Sequence, residues 1–137
     1  MRNRIIIILL CLVAFFSASG QLNLEKVYDY SLTSTKINQT DYKYYLMDVP
    51  GSQCRIYNTD HSLWKTIPVS LPVNYYLSDI KFVSQNLFNN DPLVELWYSA
   101  YEWVSSGTSN GYYRYISKVI SETGTVLASI TGGAYAY

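Results

Sequence analysis

The stretch VELWYSAYEW, residues 94–103, sets Trp97, Tyr101 and Trp103 at spacings of four and two. In an extended chain, where successive side chains alternate, those three rings share one face. Tryptophan and tyrosine join a broad apolar surface to a polar tip. A row of them can stack on sugar rings, anchor a protein partner, or pack one sheet against the next. Tyr42, Tyr44 and Tyr45, and Tyr112, Tyr113 and Tyr115, form weaker groups of the same kind in a chain that is 16% aromatic with 15 tyrosines.

The other reactive residue types are sparse. His61 is the only histidine; without an HExxH or GxSxG pattern around it, it reads as a solvated turn residue rather than a metal ligand or a catalytic base. Of the ten acids, Asp41, Asp60, Asp91 and Glu122 fall in turns, while Asp29, Asp48 and Glu95 lie in strands or at their ends. Their spacing pairs no two of them as a glycosidase would require, at about 5 to 10 Å. The NND at 89–91 lacks the alternating acids of a calcium loop. No catalytic residue, no metal site and no cofactor is therefore expected. Cys54 reads as a small buried apolar residue and, once a leader carrying Cys11 is removed, it has no cysteine to pair with.

The elements that must position these residues follow from the pattern. Residues 1–20 carry Arg2 and Arg4, twelve apolar residues from Ile5 to Phe16, then small residues to Gly20. This is the layout of a secretory signal peptide, and a run of twelve spans only about 18 Å, too short for a membrane. Cleavage after Gly20 leaves a chain destined for secretion or the cell surface, without a stable membrane span. The remaining charges are balanced and interspersed, with no basic stripe for nucleic acid.

The rest of the chain shows no sustained 3.6-residue period. RIYNTDHSLWKTI at 55–67 and KVISETGTVLASI at 118–130 align without a gap at an offset of 63, and each has the grammar of a hairpin: apolar run, turn-prone residues, second run. The only identity in the pairing is Ile67 with Ile130. Each hairpin follows an aromatic-rich strand, at 42–49 and 92–104, and ahead of those lie strand candidates at 24–32 and 75–83. The expectation is an all-β domain over 21–137 made of two antiparallel four-stranded meanders, about 24–67 and 75–130. These would be propeller-like blades, with a small β-sandwich as the alternative. Two blades are fewer than a propeller needs, and TGGAYAY at the end looks like the start of another strand. A fragment of a longer propeller, or self-association through sheet edges, would supply the rest.

With its leader, its tyrosine-rich strands and the wording YYLMDVPGSQCRIYNTDHSLWKTI followed by YYLSDIKFVSQNLF, the chain resembles secreted surface proteins of Bacteroidota exported by the type IX system, over most of residues 40–137. The resemblance implies a propeller-like or sandwich-like middle and a separate C-terminal sorting domain, of which this sequence has none; it carries no catalytic residue over. NTDHSLW also resembles the Asp-box turn of sialidase-like propellers, but the glycine is replaced by Ser62 and the Asp-to-Trp spacing is one residue short. Together these features point to a non-catalytic secreted or surface module that binds glycan or protein through Trp97, Tyr101 and Trp103. The alternative is a fragment of an extracellular carbohydrate-active enzyme whose catalytic residues lie outside this chain.

Overall fold

The computed structural model describes residues 23–107 and 110–132; the expected signal peptide lies outside them, as does the segment after Gly132. Eight strands follow one another without a helix among the described residues: β1 Leu32–Lys36, β2 Tyr42–Asp48, β3 Gln53–Tyr57, β4 Leu63–Pro68, β5 Tyr76–Gln85, β6 Val94–Ser105, β7 Gly111–Ser121 and β8 Val126–Thr131. They form two four-stranded antiparallel sheets, β1-β2-β3-β4 and β5-β6-β7-β8, each a meander in which neighbours in sequence are neighbours in the sheet. Of the expected strand at 24–32, only Leu32 belongs to a strand. Residues 23–31 instead run as an irregular strap over the first sheet, because their hydrogen-bonding side chains find partners in the 58–62 turn rather than in a ladder.

The sheets pack face to face. Tyr45, Cys54, Ile56 and Ile67 from the first meet Leu77, Ile80, Val83, Val94, Leu96, Tyr98, Ala100 and Ile120 from the second in one buried cluster. Burial of this kind contributes about 1.5–3 kcal/mol per large aliphatic side chain. Polar contacts cross the seam as well. The Thr35 hydroxyl donates to Val83 O at 2.8 Å, Gln85 N to Ile37 O at 2.8 Å, Tyr45 Oη to Ile80 O at 3.3 Å, and Lys65 Nζ to Glu122 Oε1 at 2.6 Å. Cys54 sits fully enclosed in this seam, and burial pushes its thiol up to about 12, which leaves it inert.

The 63-residue offset is physical. In the first hairpin Asn58 N donates to Ser62 O and His61 N to Asn58 O; in the second Ser121 N donates to Thr125 O and Gly124 N to Ser121 O. Val69 N to Ser52 O and Gly132 N to Tyr115 O are likewise matched. The register slips between Ile56 and Tyr57 in one copy and between Val119 and Ile120 in the other, again the same place.

The two copies stack head to tail. Cys54, Ile56 and Ile67 on the first sheet point into the seam, yet their counterparts Ser117, Val119 and Ile130 pair with Ser99, Trp97 and Ser117, on the face of the second sheet turned away from it. Conversely Tyr57, on the outer face of the first sheet, corresponds to Ile120, which is in the seam. Each sheet thus presents the same face toward the same direction, so the two sheets are stacked front to back rather than related by a two-fold axis.

Candidate functional site

Strict alternation along β6 sends Val94, Leu96, Tyr98 and Ala100 into the seam and Glu95, Trp97, Ser99, Tyr101 and Trp103 to the outer face. The three aromatic residues expected from sequence therefore do share one face. Their neighbours in register add four more rings. Phe82 lies opposite Trp97, Tyr76 opposite Tyr101 on one side, Tyr115 opposite Tyr101 on the other, and Tyr113 opposite Trp103.

The rings form two groups on this face, a Phe82–Trp97 pair and a cluster of five around Tyr101. Phe82 and Trp97 stack at 6.3 Å with 15° between planes. Tyr101 contacts Tyr76 at 6.0 Å, Tyr113 edge-on at 5.3 Å and Tyr115 at 6.1 Å, and Tyr113 meets Trp103 at 4.9 Å. At about 3.4 Å per residue, Trp97 to Trp103 spans about 20 Å. Trp97 and Tyr101 are half-buried, whereas Tyr76, Phe82, Trp103, Tyr113 and Ile130 are each more than half exposed. Seven rings and an isoleucine make a far larger apolar area than singly scattered surface residues. The charged side chains on this face include the Asp79–Lys81 pair at 2.5 Å and Glu95, which is buried and bonded to the amides of Leu87, Phe88 and Asn89.

Trp103 owes its place to Gly111. A Cβ at Gly111 would fall 2.3 Å from Cζ2 of the Trp103 ring and 2.7 Å from the Val104 carbonyl, so the indole lies over bare backbone that any side chain would displace.

The outer face of the first sheet is dressed differently. Tyr44, Leu46, Asp48, Arg55, Tyr57 and Leu63 share it by register, and the strap crosses it, leaving a groove of about 300 Å³ lined by Tyr28, Leu46, Arg55, Tyr57 and His61. Tyr28 packs edge-on against Tyr57 at 5.1 Å. His61 is not the solvated turn residue expected from sequence. Its Nδ1 is bonded to Tyr28 Oη at 3.0 Å, its Nε2 to Glu25 Oε2 at 3.0 Å, and its ring stacks on Tyr44 at 5.5 Å with planes 7° apart. Its backbone is left-handed, φ 67°, at the position where the second copy has Gly124 at φ 85°. The sequence showed a lone histidine in a turn; the signal that could have singled it out is that it aligns with a glycine.

The described buried carboxylates are engaged in holding loops. Glu95 accepts from the backbone amides of Leu87, Phe88 and Asn89 at 2.8–3.1 Å. The NND loop is further closed by Asn89 and Asp91 bonding their own backbone. Glu122 accepts from Val94 N at 2.8 Å besides Lys65. Asp48 accepts from Gln53 Nε2 at 2.7 Å and Gly51 N at 3.0 Å and pairs with Arg55; those bonds, led by Gln53, hold its carboxyl below the usual range. Glu102 is also held low, by Tyr75 first and Arg114 next. No cluster of three metal-ligating side chains is present among the described residues.

Comparison with family models, with curated proteins and with solved structures finds no match to this chain.

Proposed function

We propose that the protein is a non-catalytic β-repeat interaction module, exported to the cell surface or beyond, whose binding surface is the aromatic outer face of β5–β8. The observation that carries this reading is seven aromatic rings on one face of the second sheet, the Phe82–Trp97 pair and the cluster of Tyr76, Tyr101, Trp103, Tyr113 and Tyr115, with Tyr76, Phe82, Trp103 and Tyr113 each more than half exposed. Aromatic surface of this extent supplies affinity for sugar rings or for a protein face alike, and the near absence of charge favours a neutral ligand over a polyanion. The alternative, part of a carbohydrate-active enzyme, gains no support from carboxylates bound to backbone amides and cations as Glu95, Glu122 and Asp48 are. Export rests on the leader-like residues 1–20 and the type IX resemblance.

The test is substitution on the face followed by retention on immobilised glycans and on surface-protein extracts. Trp103→Ala, at a ring 54% exposed, is expected to weaken retention at least tenfold while thermal unfolding stays within a few degrees of the parent. Tyr101→Ala and Trp97→Ala are expected to do the same with more loss of stability, since both are half-buried. Retention unchanged in all three variants would remove the face from consideration.

A further inference from the structure

From the head-to-tail relation of the two sheets, we infer that the aromatic face of β5–β8 is a docking face for another sheet of the same kind, and that the strap at 23–31 caps the surface on which that face would dock in a second copy of this chain. The inference rests on the aromatic face being the binding surface, and names its partner.

The seam inside the molecule is the pattern for this contact. The first sheet enters it with Ile56, Cys54 and Ile67, whose equivalents Val119, Ser117 and Ile130 lie on the open face of the second. Register extends the match across the sheet: Tyr45 pairs with Ile56 as Trp97 pairs with Val119. Tyr45 is buried and reaches into the neighbouring sheet to bond Ile80 O at 3.3 Å. Trp97, in the equivalent place, carries an indole N–H that can make the same reach. Ile67 is fully buried and its equivalent Ile130 is 52% exposed; Val119 and Ser117 are buried within the face, and the rings of Tyr76, Phe82, Trp103 and Tyr113 beside them are more than half exposed, so a second layer is missing over Ile130 and those rings.

The complementary surface is equally defined. The seam face of the second sheet includes Lys118 and Ile120, and their equivalents Arg55 and Tyr57 lie on the outer face of the first sheet, under the strap. A second copy could therefore receive the aromatic face on its first sheet, continuing the stack, only after the strap lifts. The strap is lightly held. Leu24 and Val27 are 81% and 72% exposed, and among the described residues its specific contacts include Tyr28 with Tyr57 and with the His61 ring, and the bonds of His61 to Tyr28 and Glu25. A segment with so few buried contacts opens at low free energy. Such a contact is heterologous, so copies add in one direction, and a cap at one end is what keeps a stack of repeats from extending.

The experiment compares the mass of the purified protein with that of Glu25→Ala/Tyr28→Ala by light scattering over a concentration series. Hydrogen exchange at 23–31 reports strap release and circular dichroism reports the fold. Release is expected to tighten self-association at least tenfold, and adding Trp97→Ala and Trp103→Ala to the released variant should return it to monomer. Glu25→Ala/His61→Gly lifts the strap while keeping the Tyr28 ring, and decides the matter if the first variant loses its fold. A folded, strap-released protein that stays monomeric overturns the inference, as do oligomers that survive loss of Trp97 and Trp103. The binding reading is judged separately, by Trp103→Ala retention on glycans in the unaltered background, and can stand if this inference falls.

Discussion

Ile67 and Ile130 are the same residue at the same place in two copies of one hairpin, and they live in different worlds. Ile67 is sealed in the seam and Ile130 is half in solvent. The difference lies in the stacking and not in the local structure, since turn bonds, bulge and register agree between the copies. A repeat that stacks head to tail always leaves one seam face open and one back face uncovered. Here the back face lies under the strap and the front face is clothed in aromatics.

That contrast can be broken most forcefully at the matched pair. Ile67→Ala is expected to cost about 2–5 kcal/mol in denaturant unfolding, as a buried large-to-small change does. Ile130→Ala is expected to stay within about 0.5 kcal/mol, as at ordinary surface positions. Equal costs would mean that Ile130 is covered too, and that the open face is not open.

Acid should act on both sheets next. A carboxyl whose folded pKa lies below its unfolded value stabilises the protein fully above the ordinary carboxylate range, and that contribution is lost as pH falls through the depressed value. Asp48 on the strapped face and Glu102 on β6 both have this sign. Stability is therefore expected to decline from about pH 4 downward, and Asp48→Asn should flatten that limb while lowering stability at neutral pH. An acid limb unchanged in Asp48→Asn and in Glu102→Gln would place the sensitivity elsewhere.

Much of this was legible beforehand. Alternation and turn residues located six of the eight strands to within a few residues, β7 starts at Gly111, seven residues ahead of the hairpin expected at 118–130, and the offset of 63 announced the repeat. The strap was misread as a strand because LEKVYDYSL alternates well enough to be one; only the competition between a ladder and the His61 contacts decides otherwise. The row through Trp97, Tyr101 and Trp103 followed from spacing within one strand. Phe82 and Tyr76 join it through a β5–β6 register that two bulges put beyond simple counting, and Tyr113 and Tyr115 through the unbroken register of β6 with β7, which the sequence does not reveal until the pairing is known. Which face of each sheet meets the seam was not legible at all, because both faces of β6 are rich in apolar and aromatic residues.

The turns give a smaller contrast. Gly124→Ala adds a methyl group that meets nothing within 4 Å, so its whole effect is the strain of a left-handed backbone at φ 85°, about 1 kcal/mol. Thermal unfolding should show a drop of a few degrees. No drop would mean that the turn relaxes to another form, and the geometric identity of the two hairpins would be less strict than their hydrogen bonds indicate.

His61→Gly is the converse change and should have the smallest net effect, because two terms of similar size oppose each other. Relief of left-handed strain stabilises the turn by about 1 kcal/mol, while loss of the bonds to Tyr28 and Glu25 and of the Tyr44 stack removes a comparable amount. Global stability is then nearly unchanged, and the substitution is visible only locally: amide exchange at residues 23–31 should accelerate while the strands keep their protection. That outcome would say why a strained histidine stands where the other copy has glycine. The residue is held in an unfavourable backbone conformation by the contacts it makes, and those contacts are what tie the strap to the first sheet. A net gain in stability with the strap still protected would show that Tyr28 on Tyr57 suffices to hold it, and His61 would return to being a turn residue and nothing more.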